Sequence, residues 1–149
     1  MVVINQFIRD VLEYFKTDLS KSIDDPKSGA RDKTSKFVMT SFPKRKVIYP
    51  LITLKIPNFD ATRAGMQTDA MDLIIQLEVR VWARNEVDKD AISNDIYDRL
   101  RTIQFVNLGS IDQDLHDFAL LSANEVDEEG DGGIKSRINT YQYKIFNVN

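Results

Sequence analysis

One short run of the chain has the spacing of a calcium-binding loop. Asp127, Glu129, Asp131 and Gly132 match the first half of an EF-hand loop, where oxygen ligands occupy positions one, three and five and glycine occupies position six. The twelfth position, which should be a bidentate glutamate, is Ile138, and the flanking residues alternate as strands do. We therefore interpret the run as the solvated tip of a β-hairpin and expect no metal or other cofactor.

The single histidine, His116, is the other residue that could take part in a reaction. A histidine can act as a general base near neutral pH, and Asp112, Asp114 and Asp117 lie close to it in sequence. The surrounding segment SIDQDLHDF is polar and indicates a connection at the surface. The chain contains no G-x-S-x-G elbow, Walker loop or G-x-G-x-x-G run. We expect no enzyme, and we keep a hydrolase that uses His116 and a carboxylate as an alternative.

The composition limits the classes of protein to which this chain could belong. A chain of 149 residues with 42% hydrophobic and 29% charged residues is typical of one globular domain, so we expect residues 1–149 to form a single domain. The chain has no cysteine, which excludes thiolate nucleophiles and cysteine-ligated metals. No apolar run is long enough to span a bilayer, and the amino terminus does not resemble a signal peptide, so we expect no membrane contact and an intracellular protein.

The net charge of −3 argues against a dominant nucleic-acid-binding surface. A local basic cluster of Lys44, Arg45 and Lys46, together with Arg63, could still bind phosphates. A nucleic-acid-binding or ligand-binding module therefore stays open as a second alternative.

The longest strand is predicted for Asp72 to Ala83. Its alternation of apolar and polar residues indicates a strand with one buried face, formed by Leu73, Ile75, Leu77, Val79 and Val81. A helix is predicted to follow almost at once, capped by Asn85, with an apolar stripe of Ile92, Ile96, Leu100 and Ile103 that can lie on the sheet.

The other elements are read in the same way. Residues 4–19 have the spacing of an amphipathic helix. Extended runs follow at KFVMTSF and YPLITLKIP, with prolines at the ends of the second, and two further strands are predicted at DFALLSANEV and IKSRINTYQYKIFNV. The order is helix, three strands, helix, two strands. The predicted fold class is α+β, a mainly antiparallel sheet with two helices packed on it.

Three polar connections are long enough to make contacts. We predict a mobile loop over residues 20–35, a long hairpin loop over residues 58–70, and a hairpin tip at residues 126–133. Loops more often carry binding than sheets do. The interface candidates are Arg63, Met66 and Asp69 in the hairpin loop, Arg31 and Lys33 in the mobile loop, and Glu128 and Asp131 in the tip.

The element order and four local segments resemble the tail terminator proteins of long-tailed phages, which are also called tail-to-head joining proteins. The segments are YPLITLKIP, the RAG of the long loop, IIQLEVRVWARN, and the helix DAISNDIYDRL, and the likeness extends from Ile4 to Val148. The resemblance implies a small subunit that forms a ring of six on the end of the tail tube, stops tube polymerisation and offers a surface to the head connector.

The resemblance also implies partners and a location. The partners would be other copies of the chain, the tail tube protein, and the head connector or a head-completion protein. The protein would be assembled in the host cytoplasm and would lie in the neck of the virion. An acidic chain suits a channel through which DNA passes without adhering, because Lys and Arg contacts to phosphate create nonspecific affinity. Another neck component, such as a head-completion or tail-completion protein, could share this outline.

Overall fold

The computed structural model describes residues 3–31, 35–42, 47–103, 107–108, 111–112, 114–127 and 133–148. The elements, in chain order, are helix α1 (Ile4–Ser22), a 3₁₀ turn (Ser28–Ala30), β1 (Val38–Met39), β2 (Leu51–Arg63), β3 (Met71–Ala83), helix α2 (Glu86–Thr102), β4 (Asn107–Leu108), β5 (Ile111–Asp112), β6 (His116–Asp127) and β7 (Lys135–Val148).

The main sheet has five strands in the order β1-β2-β3-β7-β6. Every pair in it is antiparallel except β1 with β2, which is parallel over two residue pairs. The strands β4 and β5 form a separate small antiparallel pair. The two helices and the mainly antiparallel sheet confirm the predicted α+β class.

The central strand β3 follows its predicted pattern. It pairs with β2 on one side and β7 on the other, so its backbone is satisfied along both edges. The five residues assigned to its core face are fully buried: Leu73, Ile75, Leu77, Val79 and Val81. Since side chains alternate between the faces of a strand, this burial shows that one face of the sheet carries the core.

Both helices cover that same face. α1 buries Phe7, Val11, Phe15 and Leu19, and α2 buries Ile92, Ile96 and Leu100. These residues belong to the same hydrophobic core as Tyr141 and Tyr143 of β7. Phe15 stacks on Tyr143 with 5.3 Å between ring centroids. The predicted N-cap of α2 is confirmed, because the Asn85 side chain accepts the backbone N–H of Asp88 at 2.8 Å. Neither helix of the described chain is both long and apolar enough to cross a membrane.

Strand β2 is longer than the sequence indicated. The sequence predicts a strand end at Pro57, but the strand continues to Arg63 through a register shift between Lys55 and Asn58. Opposite those residues, β3 advances only from Glu78 to Gln76, so β2 holds one extra residue, a β-bulge. A bulge accommodates a proline because the proline has no N–H to give to the ladder. The hairpin connection is therefore residues 64–70 instead of 58–70.

The segment predicted as a mobile loop over residues 20–35 also contains more structure than expected. α1 continues to Ser22, and the 3₁₀ turn Ser28–Ala30 follows a short connection. Residues 32–34 lie outside the described part of the chain. The helix extends because buried Ile23 follows Leu19 at a spacing of four residues, and the N–H of Ile23 donates to the Leu19 carbonyl oxygen at 3.1 Å.

The sheet has two differing edges. On one side β1 pairs only with Ile52 and Thr53, so in the described chain the rest of β2, from Leu54 to Arg63, has no strand beside it on that side. On the other side, β6 is the last strand of the sheet in the part of the chain that the structure describes. An unpaired strand edge presents backbone donors and acceptors that can pair with another chain.

Candidate functional site

The hairpin that joins β2 to β3 brings three of the interface candidates together. Arg63 ends β2, and Met66 and Asp69 lie in the connection that follows it; all three are exposed, with Met66 at 94% of its surface. The connection is closed at its base by a 2.9 Å hydrogen bond from the Ala64 N–H to the Ala70 carbonyl oxygen. The structure thus places an exposed apolar side chain between charges of both signs, and the contact role of these residues stays a prediction.

Arg31 has a different position from the one expected of a loop contact residue. Its side chain is buried, and its guanidinium donates to Asp25 at 2.5 Å, to the Ile48 carbonyl oxygen at 2.9 Å and to the Pro50 carbonyl oxygen. The guanidinium also lies over the Phe37 ring at 5.0 Å. Arg31 therefore ties the segment after α1 to the residues that lead into β2, and its side chain is not presented at the surface.

Three interface candidates cannot be placed. Lys33, Glu128 and Asp131 lie outside the described residues, as does most of the acidic hairpin tip. Among the described side chains, no group of three histidine, aspartate or glutamate residues is arranged to hold a metal ion.

A groove between α2, β6 and β7 was not found by sequence reasoning. It has a volume of about 240 Å³, and its apolar lining includes Tyr97 of α2, Leu120 and Ala123 of β6, and Tyr141 of β7. Two polar side chains, Ser93 and Asn139, also line it. The groove opens beside the free edge strand β6, so an incoming segment could contact both.

The adjacent leucines of β6 were the sequence signal for this groove. Neighbouring residues of a regular strand point to opposite faces, so Leu120 and Leu121 cannot both enter one core. The register of β6 against β7 shifts between Leu120 and Ser122, and both leucines are exposed, at 43% and 47%. An apolar pair at an edge strand with a bulge indicates a contact surface more than core packing.

A charged cluster fixes the α2 side of this groove. Lys89 of α2 is fully buried and donates to Glu86 at 3.0 Å and to Glu125 of β6. Arg137 of β7 contacts Glu125 as well and approaches Asp90 of α2 at 2.8 Å. The cluster joins α2, β6 and β7, the three elements that form the groove.

The pKa values in this cluster show that its charges are mutually stabilised. Burial acts to lower the pKa of Lys89, but hydrogen bonds to Glu125 and Glu86 outweigh it and raise that pKa. Burial acts to raise the pKa of Glu125, but hydrogen bonds from Lys89 and Arg137 outweigh it and lower that pKa. Hydrogen bonds from Lys89 and Lys135 lower the pKa of Glu86. All three groups are charged at neutral pH.

The face of the sheet opposite the helices is a second exposed surface. Its polar residues form cross-strand contacts: the Trp82 indole donates to Thr53 at 3.1 Å, the Arg80 guanidinium lies 3.8 Å from the Trp82 ring centroid, and Lys55 pairs with Glu78 at 3.2 Å. These contacts link neighbouring strands across this face of the sheet.

His116 lies at the start of β6, on the rim of a cavity of about 230 Å³ that Arg101, Leu115 and Tyr143 also line. Its ring packs 5.1 Å from that of Phe146. The adjacent Asp117 pairs with Lys144 at 3.6 Å. Within the described residues no hydrogen bond joins His116 to a carboxylate, so the geometry gives the hydrolase alternative no base held by an orienting partner.

The basic residues of the nucleic-acid alternative are only partly placed. Lys44, Arg45 and Lys46 lie outside the described residues. Arg63 is exposed, but it lies on the hairpin with Asp60 and Asp69 close by in the chain. The described surface around Arg63 is of mixed charge.

Comparison with known proteins gives a likeness of fold. No protein-family model matches the chain, and no curated protein matches it. Solved structures do match, among them a chain of the virion of a native gene transfer agent particle. That likeness has a TM-score of 0.61 at 10% sequence identity and covers 98% of this chain and 99% of the other. At this identity the likeness shows a shared fold.

Proposed function

We propose that this chain is a structural virion protein, and specifically a tail terminator, which closes into a ring on the end of the tail tube, stops tube polymerisation and joins the tail to the head connector. The observation that carries the proposal is the end-to-end likeness to a chain of a gene transfer agent virion, where nearly all of both chains superimpose as one fold. A match over both full lengths supports a common kind of subunit more than a shared motif does.

The shape of the subunit is compatible with a ring. A cyclic ring needs two different surfaces on each subunit, so that each copy uses one surface toward each neighbour. The described chain offers such a pair: the exposed β2–β3 hairpin lies at the amino-terminal end of β3, and β6 with its groove lies at the edge of the sheet beyond β7. The rigid core between them, with β3 fully buried on one face, would hold the two surfaces at a fixed angle.

The proposed role requires binding and positioning and no chemical step. It places the protein in the neck of the virion, in contact with further copies, the tail tube protein and the head connector or a head-completion protein.

The net charge of −3 suits a passage for DNA, since an acidic wall repels phosphates. Neutralising the acidic side chains that line the channel should slow DNA exit if this part of the proposal holds; unchanged exit would refute it.

The proposed function can be tested by disrupting the gene for this protein in the genetic element that carries it. We expect filled heads without tails, together with tail tubes of uncontrolled length, and rescue by the wild-type gene supplied in trans. Over-long tubes are the decisive result, because only loss of the terminator releases polymerisation. Tails of normal length that fail to join heads would instead assign the chain to another neck component, and normal particles would exclude both roles.

A further inference from the structure

The main sheet ends in two long edge strands, and each contains a regular stretch of six residues. In β2 the stretch is residues 58–63, which pair with β3 without a register shift. In β6 it is residues 122–127, which pair with β7 without a register shift. Within the described chain no strand pairs with the outer edge of either stretch. The outward N–H and C=O groups therefore need water or another chain as a partner.

Bulges and proline protect the rest of each edge strand from pairing, but not these two stretches. The bulge of β2 and Pro57 come just before residues 58–63. The two register shifts of β6 lie between His116 and Ser122, before its regular stretch continues. Since a bulge or a proline interrupts a ladder, the regular stretches are the parts of each edge that can accept another strand.

The strand directions make the two edges complementary. Each neighbouring pair from β2 through β3 and β7 to β6 is antiparallel, so β2 and β6 run in opposite directions. A rotation about an axis that runs along the strands keeps the direction of every strand. A second copy placed by such a rotation therefore sets its β2 beside β6 of the first copy as an antiparallel neighbour, with the helices of both copies on the same side of the sheet.

The side chains of the two stretches also match by face. Phe59 and Ala61 lie opposite fully buried residues of β3, so they point to the helix side of the sheet. Both are only partly buried in their own chain. On β6, exposed Ala123 lines the groove together with Tyr97 of α2, on that same side. Pairing of the two edges would cover apolar surface of both strands, which favours association.

The first part of β2 determines how the next copy can approach. β1 and residues 40–42 flank β2 as far as Lys55. Within one subunit Ser122 lies in the same row of the sheet as Lys55. For residues 122–127 to reach residues 58–63, the next copy must therefore be displaced along the strands. A stagger between neighbouring strands is also what closure of a sheet requires.

This displacement accounts for three exposed apolar side chains. Leu120 and Leu121 come just before the regular stretch of β6 and are 43% and 47% exposed. In the antiparallel arrangement they would extend past Arg63 to the β2–β3 connection of the neighbouring copy. Met66 lies in that connection and is 94% exposed. The same contact would thus cover all three side chains.

We infer that residues 122–127 of β6 in one copy pair antiparallel with residues 58–63 of β2 in the next, so that the sheet continues from subunit to subunit. The contact is heterologous: each subunit offers β6 to one neighbour and β2 to the other, which can close a ring. This inference rests on the proposed ring and names the backbone interface that joins its subunits.

Site-specific cross-linking tests the inference, and the chain has no cysteine that could react in the background. The test variant carries Thr62→Cys and Asn124→Cys, two exposed residues on the sheet face opposite the helices. A short bismaleimide should join its subunits into a covalent ladder of up to six chains. The matched control carries Thr62→Cys and Glu13→Cys, because Glu13 is exposed on α1, on the helix side of the sheet. The control should give no ladder.

The two single-cysteine variants separate this arrangement from a two-fold one. In the inferred contact neither cysteine meets its own equivalent, so neither single variant should be cross-linked. In a closed dimer that pairs β6 with β6, Asn124→Cys alone would be joined into a covalent dimer. That result would overturn the inference.

Circular dichroism and light scattering on each variant keep the outcomes separate. A folded, ring-forming double variant that gives no ladder overturns the inference and leaves the proposed function standing. A ladder of equal yield in the control overturns the inference as well. If Thr62→Cys impairs folding, Asp60→Cys, which is exposed on the same face, takes its place. A folded protein that stays monomeric and gives no ladder, alone and on purified tail tubes, overturns both the inference and the proposed ring.

Discussion

The Tyr143 hydroxyl donates a 2.6 Å hydrogen bond to the carbonyl oxygen of Leu100. Leu100 lies in the last turn of α2, where carbonyl oxygens have no partner further along the helix. The same oxygen accepts the N–H of Ile103 at 3.3 Å. Strand β7 thus holds the carboxyl end of α2, while the Lys89 cluster holds its amino end.

Replacing Tyr143 by phenylalanine should therefore loosen α2. We expect the free energy of unfolding to fall by about 0.5–1.5 kcal/mol, the usual contribution of one hydrogen bond, since the Leu100 oxygen keeps Ile103 as a partner. Urea denaturation followed by circular dichroism measures the change. Tyr97→Phe is the matched control, because its ring is partly exposed, and it should change stability by less than about 0.5 kcal/mol. Equal losses in the two variants would contradict the assigned role.

Alkaline pH should destabilise the protein. Burial raises the pKa of both Tyr141 and Tyr143 well above the ordinary value. Above about pH 10 the unfolded chain loses these protons and the folded chain keeps them, so stability falls as pH rises, by about 1.4 kcal/mol per pH unit for each tyrosine. Denaturation at a series of pH values from 9 to about 11.5 gives the slope. In Tyr143→Phe the loss of stability per pH unit should be smaller by the contribution of one tyrosine. Equal slopes for the wild-type and variant proteins would refute Tyr143 as a source of the pH dependence.

The sequence was sufficient for the core because the core follows strict periodicity. Alternation identified five of the six buried residues of β3, all except Ala83, and spacings of three and four residues identified the stripes of both helices. The end of β2 was missed because Pro57 normally ends a strand, and only the pairing with β3 reveals the bulge that accommodates it.

The candidate site was only partly predictable. Exposure on a hairpin identified Met66. The adjacent leucines of β6 indicate only one side of the groove, because no local pattern shows which residues of α2 and β7 meet them. Arg31 was expected at a surface, whereas its partners include carbonyls at Ile48 and Pro50 that sequence distance conceals. Lys89 was also hidden, since a buried lysine is recognised only by its partners on other elements.

Glu125→Gln should destabilise the protein more than Glu78→Gln. The first change removes a charged partner of fully buried Lys89, and hydrogen bonds to charged groups contribute about 1.5–3 kcal/mol. We expect a loss of about 1–2 kcal/mol, because Glu86 still contacts Lys89. The second breaks the Lys55 pair at the surface, which should cost less than about 1 kcal/mol. Chemical denaturation at pH 7 measures both, and the reverse order would contradict the burial argument.

The lowered pKa of Glu125 adds a test at acid pH. A carboxyl group whose pKa is lower in the folded state stabilises the fold above its unfolded pKa, about 4.3, and that contribution is lost as pH falls through the folded pKa. The wild-type protein should therefore lose more stability than Glu125→Gln between pH 5 and pH 3. Identical losses would show that Glu125 is not the group responsible.

Arg31→Lys should destabilise the fold and leave the surface unchanged. A lysine cannot reproduce the forked contacts of the guanidinium with Asp25 and two backbone carbonyls, so buried acceptors lose their donors. We expect a loss of about 1–3 kcal/mol in chemical denaturation. Arg63→Lys at the exposed hairpin is the control and should stay within about 0.5 kcal/mol. If Arg31→Lys leaves the free energy of unfolding unchanged, the buried role of Arg31 is wrong and Arg31 is again a candidate for a surface contact.

The central claim is that the chain assembles into a ring, and the molar mass of the purified protein tests it most directly. Size-exclusion chromatography with light scattering over a series of concentrations should show a species near six times the 17.1 kDa chain mass, with closed rings in negative stain. A single 17.1 kDa species at every concentration, with no rings after mixing with purified tail tubes, would contradict the account.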